Sequence, residues 1–120
     1  MYKKLKVYQL AFELAMQVFE VSKGFPKEER YALTDQIRRS SRSVCVNIGE
    51  GYRKRLYKKH FIAKLSDADM ENTETQVWLD FALACCYITG EIKEKLYDKA
   101  LQIGKLIGYM IQNPEKFKTK

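Results

Sequence analysis

Apolar side chains recur at intervals of three and four along nearly the whole chain. That spacing collects them on one face of an α-helix, whereas a strand would need strict alternation. Only 2 Pro and 6 Gly occur in 120 residues, so little material is left for turns. A β-sandwich of many short strands is therefore disfavoured. The hydrophobic fraction of 46 % is too high for a disordered tail and supports a real core. A chain of this length forms one domain.

The periodicity predicts four helices. The first runs from about Val7 to Val21, with Val7, Ala11, Leu14, Val18 and Val21 inward, and stops at Gly24 and Pro26. The second runs from about Lys27 to Tyr52, with Leu33, Ile37, Ser41, Val44 and Ile48 inward. The third runs from about Lys58 to Ile88, with Phe61, Leu65, Ala68, Leu79, Leu83 and Cys86 inward, and ends at Thr89-Gly90. The fourth runs from about Ile92 to Ile111, with Leu96, Ala100, Ile103, Ile107 and Met110 inward, and closes at Asn113-Pro114. Short connections make successive helices antiparallel neighbours. The expected fold is all-α, an up-down-up-down four-helix bundle spanning 1–120 as a single domain. The charged tail from Glu115 to Lys120 is expected to fray. Gly104-x-x-x-Gly108 reads as a place of close helix packing.

Two features go beyond a plain bundle. On the third helix Met70, Val77, Phe81 and Ile88 lie opposite the inward stripe, with Trp78 and Cys85 beside them. Phe12, Met16 and Phe19 make a similar extra stripe on the first helix. Sustained apolar stripes predict an interface between copies of the chain, against the plainer reading of stray surface residues. A polar seam follows the second helix through Gln36, Ser40, Ser43, Asn47 and Glu50, and Asn72 and Gln76 sit in the inward stripe of the third. Such groups need partners, so they are expected to bond across helices or subunits and fix register.

Several function classes lack their signals. Glu13, Gln17 and Glu20 break the apolar run after Lys3, Lys4 and Lys6, which argues against an export signal. No segment reaches the ~20 apolar residues that span a bilayer, so the protein is expected to be cytoplasmic without membrane contact. The cysteines are Cys45, Cys85 and Cys86, an odd number without C-x-x-C spacing. They predict neither a disulfide framework nor a zinc site, but buried reduced thiols. The signals of Ser-His-Asp chemistry, Gly-rich phosphate loops and metal-ligand spacings are missing, so no cofactor or metal is expected.

Charge is unevenly spread. The chain carries 22 Lys or Arg and 15 Asp or Glu, a net +7. Residues 38–64 hold nine Lys or Arg against Glu50 alone, and residues 67–92 hold six acids and no Lys or Arg. Arg38 and Arg42 are one turn apart and point off the core stripe. The run Arg53, Lys54, Arg55, Lys58 and Lys59 lies at the junction of the second and third helices, interleaved with Tyr52 and Tyr57. Cations beside aromatics suit phosphate contact and base stacking, in RNA or DNA. The other reading is a solvated surface with local pairs such as Asp35 with Arg39, or acids of the third helix meeting these cations in a neighbouring subunit.

The stretch Phe25-Pro26-Lys27-Glu28-Glu29-Arg30-Tyr31-Ala32-Leu33-Thr34-Asp35-Gln36-Ile37-Arg38-Arg39-Ser40 resembles a motif of the four-helix bundle protein family, also called the 23S ribosomal RNA intervening-sequence protein family. Ser43-Val44, Asn47-Ile48-Gly49-Glu50-Gly51-Tyr52 and Glu74-Thr75-Gln76-Val77-Trp78-Leu79 continue the resemblance. It implies an antiparallel four-helix bundle assembled as a homopentamer, without enzymatic activity. Some members are encoded inside ribosomal RNA intervening sequences. Related proteins accompany the reverse transcriptases of diversity-generating retroelements, which implies nucleic-acid binding through a basic surface and a reverse transcriptase or other protein as partner. One alternative is enzymatic. Arg55 and His60, the only histidine, have the R-x4-H spacing that resembles the ribonuclease motif of HEPN-domain proteins, although Leu56 replaces the usual polar residue. A purely structural protein–protein adaptor is the other alternative.

Overall fold

The computed structural model describes residues 1–118. Four helices occupy them: α1 (Lys6–Ser22), α2 (Leu33–Arg53), α3 (Lys58–Ala84) and α4 (Gly90–Gln112). Short 3-10 turns cover Tyr2–Lys4, Lys27–Glu29 and Pro114–Phe117, and no strand occurs among the described residues. Each helix packs on its chain neighbours, and α4 closes the ring against α1. The result is the antiparallel up-down-up-down bundle.

The periodicity places α1 and α4 to within two residues, and chain chemistry explains their ends. The Thr89 hydroxyl accepts the Ile92 N–H at 3.2 Å, so Thr89 opens α4 as its N-cap.

The second helix is shorter than expected. After Pro26 the chain makes a 3-10 turn, and Ala32 leaves helical geometry at φ −121°, ψ −105°. α2 begins at Leu33, whose N–H donates to Glu29 Oε1 at 3.2 Å. The other oxygen of that carboxylate, Oε2, accepts the Tyr87 hydroxyl at 2.9 Å. One acid thereby staples the α1–α2 connection to the α3–α4 connection. This bond, with burial and the Glu29 charge behind it, pushes the Tyr87 phenol up to about 12.

The third helix ends four residues early. Tyr87 N–H donates to the Ala82 carbonyl and Cys86 N–H to that of Leu83, both at 2.9 Å, the Schellman pattern. Cys86 takes the left-handed position of that motif, at φ 64°. The reversal leaves Cys85 and Cys86 exposed, so only Cys45 is the buried thiol expected of all three. It also turns Ile88 inward. Ile88 is 7 % exposed and belongs to the core, not to the outward stripe of α3. Phe25 packs nearby, its ring 5.6 Å from that of Tyr87.

The core is built on Leu14, Ile37, Ile48, Phe61, Leu65, Leu79, Ile103 and Ile107, all essentially without solvent contact. Two polar bonds cross it. Ser40 and Thr75 hydroxyls meet at 2.8 Å between α2 and α3, and Asn72 Nδ2 donates to the Ala100 carbonyl at 2.8 Å between α3 and α4. Gly51 marks the close approach: a Cβ there would lie 3.1 Å from Lys64 Cβ on α3. Gly104 and Gly108 do not have the packing role expected of them. A Cβ at Gly104 would meet Asn72 at an ordinary 3.5 Å, and one at Gly108 would meet nothing within 4 Å. The tail also departs from expectation. Phe117 docks 6.1 Å from the Phe61 ring, so Pro114–Phe117 is folded onto the bundle. Thr119 and Lys120 of that tail lie outside the described residues.

Candidate nucleic-acid interface

Four antiparallel helices bring the start of α1, the end of α2, the start of α3 and the end of α4 to one pole. Tyr2 packs against Gly49 and Phe117 against Phe61, which ties the three segments together. Residues 1–6, 50–60 and 112–118 carry ten Lys or Arg against two acids, Glu50 and Glu115. Residues 22–32 and 84–93, at the other pole, carry four against three. The bundle therefore has one cationic end.

The α2–α3 turn is its centre. Lys54 N–H donates to the Gly51 carbonyl at 2.9 Å, and Tyr57 N–H to that of Lys54 at 2.8 Å, so the turn is held by its own backbone. Arg53, Lys54, Lys58 and Lys59 are exposed and form no ion pair among the described residues. Arg55 behaves differently. Its guanidinium lies 4.4 Å from the Tyr52 ring, Nη1 donates to the Tyr52 carbonyl at 3.2 Å, and Nε is buried. It braces the turn. His60 is exposed with its ring edge-on to Tyr57, so the two residues of the R-x4-H spacing are engaged with separate tyrosines.

Arg38 and Arg42 are not part of this pole. Arg38 lies 15 residues before Arg53 on α2, about 22 Å along the axis at 1.5 Å per residue. It is half-buried: Nε donates to Ser22 Oγ at 2.7 Å and the guanidinium sits 4.7 Å from the Phe19 ring. The outward arginine expected from periodicity instead fastens α2 to the end of α1. Arg42 is exposed beside the same ring, at 5.7 Å.

The polar seam is also rearranged. Gln36, Ser43 and Asn47 are half-buried, but Asn47 Nδ2 donates to the Ser43 carbonyl of its own helix at 3.0 Å. Glu50 is exposed and pairs with Lys64 of α3 at 2.9 Å, which holds the Lys64 ammonium above its ordinary range. The fully buried bonds that cross between helices come from Ser40 and Asn72.

On α3, Met70, Val77 and Phe81 are exposed, at 68 %, 42 % and 53 %. Trp78 is half-buried against the core, its Nε1 donating to Glu74 at 3.1 Å. On α1, Phe12 and Met16 are exposed, and Phe19 is covered in part by the arginines. Beside the α3 stripe Glu71 is half-buried, and burial, then the charges of Glu74 and Asp67, raise its carboxyl.

Sequence reasoning missed Lys3, Lys4, Lys6, Lys116 and Lys118 as members of the cationic pole. The available signal was topological. An even number of helices with short connections returns both ends of the chain to the α2–α3 turn.

The fold and this surface define an antiparallel four-helix bundle with one cationic pole. The family model of the 23S rRNA-intervening sequence protein matches residues 3–109, and the chain belongs to that family. A crystal structure of a protein of unknown function from the S23 ribosomal protein family of Bacteroides thetaiotaomicron is similar to it. The two are 29 % identical with a TM-score of 0.82, over 93 % of this chain and 99 % of that one. No curated protein matches. Among the described residues no helix is long and apolar enough to cross a membrane.

Proposed function

We propose that this chain is a non-enzymatic accessory protein that binds RNA or DNA through phosphate contacts at its cationic pole. One observation carries the reading: ten cations from three distant segments converge on one end, and the four exposed ones of the α2–α3 turn have no acid partner among the described residues. Unpaired lysines and arginines in such density displace the counterions of a polyanion, a sequence-independent source of affinity. Little base selectivity is expected, since no helix presents side chains arranged to read a groove.

Assembly strengthens the case. The exposed stripes lie on α1 and α3, which are diagonal in the bundle. A contact joining one to the other uses two different patches, and such head-to-tail contacts form a ring where the rotation between copies closes. A homopentamer, with Met70, Val77, Phe81 and Trp78 at the contact, would repeat the cationic pole five times and multiply weak phosphate contacts.

Filter binding at low salt to single- and double-stranded RNA and DNA tests the proposal. Binding should weaken with salt by a log–log slope of about −0.9 per neutralised duplex phosphate. Replacing Arg53, Lys54, Lys58 and Lys59 together with Glu should abolish it without loss of helicity. Arg55 is left in place because it braces the turn. Retention by that variant refutes the assigned surface. Failure of the wild type to retain any of the four leaves the protein–protein adaptor as the better reading. RNA cleavage lost in His60→Ala would establish the ribonuclease instead.

A further inference from the structure

We infer that the cationic pole selects single-stranded over double-stranded nucleic acid, by stacking an unpaired base on Tyr57. The inference rests on the nucleic-acid reading above and goes beyond it, since phosphate contact alone does not distinguish strands.

Tyr57 is the N-cap of α3 and is 61 % exposed. Its backbone is fixed from both sides: its N–H donates to the Lys54 carbonyl at 2.8 Å and its carbonyl accepts from Phe61 at 2.9 Å. Lys54 Nζ lies 5.9 Å from the ring centroid, and the His60 ring stands edge-on at 85°. A ring left in solvent on a braced turn is a preformed platform. Its surroundings identify the occupant. Lys54 lies over the ring and Arg53, Lys58 and Lys59 are exposed on the same turn, and an apolar protein surface would have to desolvate those cations without offering them charge. A nucleotide meets both demands, with a flat π face for the ring and phosphates on either side for the cations. The bases of a duplex are already stacked on each other and present only edges in the grooves. One tyrosine at the tip of a turn reaches a base face only where the strand is unpaired. Stacking of this kind tolerates every base, so the preference is for strandedness rather than sequence.

The test is fluorescence anisotropy at low salt with four labelled probes of equal phosphate number: oligo-dT, oligo-U, a DNA duplex and an RNA duplex. The wild type should bind both single strands at least about fivefold more tightly than either duplex. Tyr57→Ala should weaken single-strand binding by about 5- to 150-fold, the range of one aromatic stack. It should leave duplex binding within about twofold, and Tyr57→Trp should keep the single-strand preference. Circular dichroism of Tyr57→Ala establishes that the exposed substitution leaves the helices intact. Equal affinity for single strands and duplexes, or an equal loss on both in Tyr57→Ala, overturns this inference while the phosphate reading stands. Binding to none of the probes overturns both. A difference between oligo-dT and oligo-U assigns the strand to DNA or RNA.

Discussion

Three helical glycines separate packing from propensity. Gly104 and Gly108 lie on α4, where a methyl group would make at closest a 3.5 Å contact and none within 4 Å, respectively. Neither has a positive φ. Replacing each with Ala therefore removes the entropic cost of helical glycine without a steric charge, a gain of about 0.8–1 kcal/mol per site. Unfolding entropy of about 2.1 cal/mol/K per residue makes 1 kcal/mol worth about 4 °C in a chain of this size. Gly104→Ala with Gly108→Ala should raise the midpoint by about 6–8 °C if the sites add. Gly51 is the control. A Cβ there would stand 3.1 Å from Lys64 Cβ, which is fixed to the backbone of α3. Its relief requires α2 and α3 to separate, so Gly51→Ala should lower the midpoint despite the same gain in propensity. Thermal unfolding followed at 222 nm, at one protein concentration for all variants, reads these shifts. A fall in midpoint for the α4 pair would refute the reasoning and show that α4 is approached closely by something outside the protomer.

Phe81→Asp should reduce the assembly to a monomer, because a carboxylate enclosed between subunits is costly to leave unpaired; multi-angle light scattering measures this, and a monomeric wild type sinks the idea. Glu29→Ala should return the Tyr87 phenol from about 12 toward its ordinary 10, seen as earlier tyrosinate absorbance in an alkaline titration; an unchanged titration refutes the staple. Burial holds the Cys45 thiol up, at about 11 against an ordinary 9.0, so between those values the unfolded chain ionises while the folded one does not. The Cys45 contribution to stability should be complete below pH about 9 and vanish as pH rises through 11. Denaturant midpoints should show Cys45→Ala with a shallower alkaline decline than the wild type, and identical slopes count against the assignment.

The helices were legible because each needs only its own periodicity. α1 and α4 end within two residues of expectation, where Pro26, Thr89 and Asn113-Pro114 mark the boundaries. Two other ends were hidden. Lys27-Glu28-Glu29 favours helix locally, and only the Glu29 bonds to Leu33 and Tyr87 reveal a staple between two connections. The end of α3 carries Cys86 where glycine is usual, so the nearest glycine signal, Gly90, misplaced the stop by several residues. Periodicity also assigns a face without saying what leans over it. Arg38 was legible as off the core stripe, but the Phe19 ring and Ser22 hydroxyl that occupy it come from another helix. The cationic pole was half legible. Its α2–α3 turn is contiguous in sequence, whereas the lysines at positions 3–6 and 116–118 join it only through the topology.

The same topology decides where the molecule can be handled. The segments 1–6 and 112–118 both lie at the cationic pole, so a label attached within either of them hangs over that pole. Immobilising the protein through either segment would shield the surface meant to be probed. The opposite pole offers a quieter anchor at Tyr31, which is 84 % exposed. A reporter placed there leaves the pole open, and a surface coupled there presents every molecule with its charged end outward.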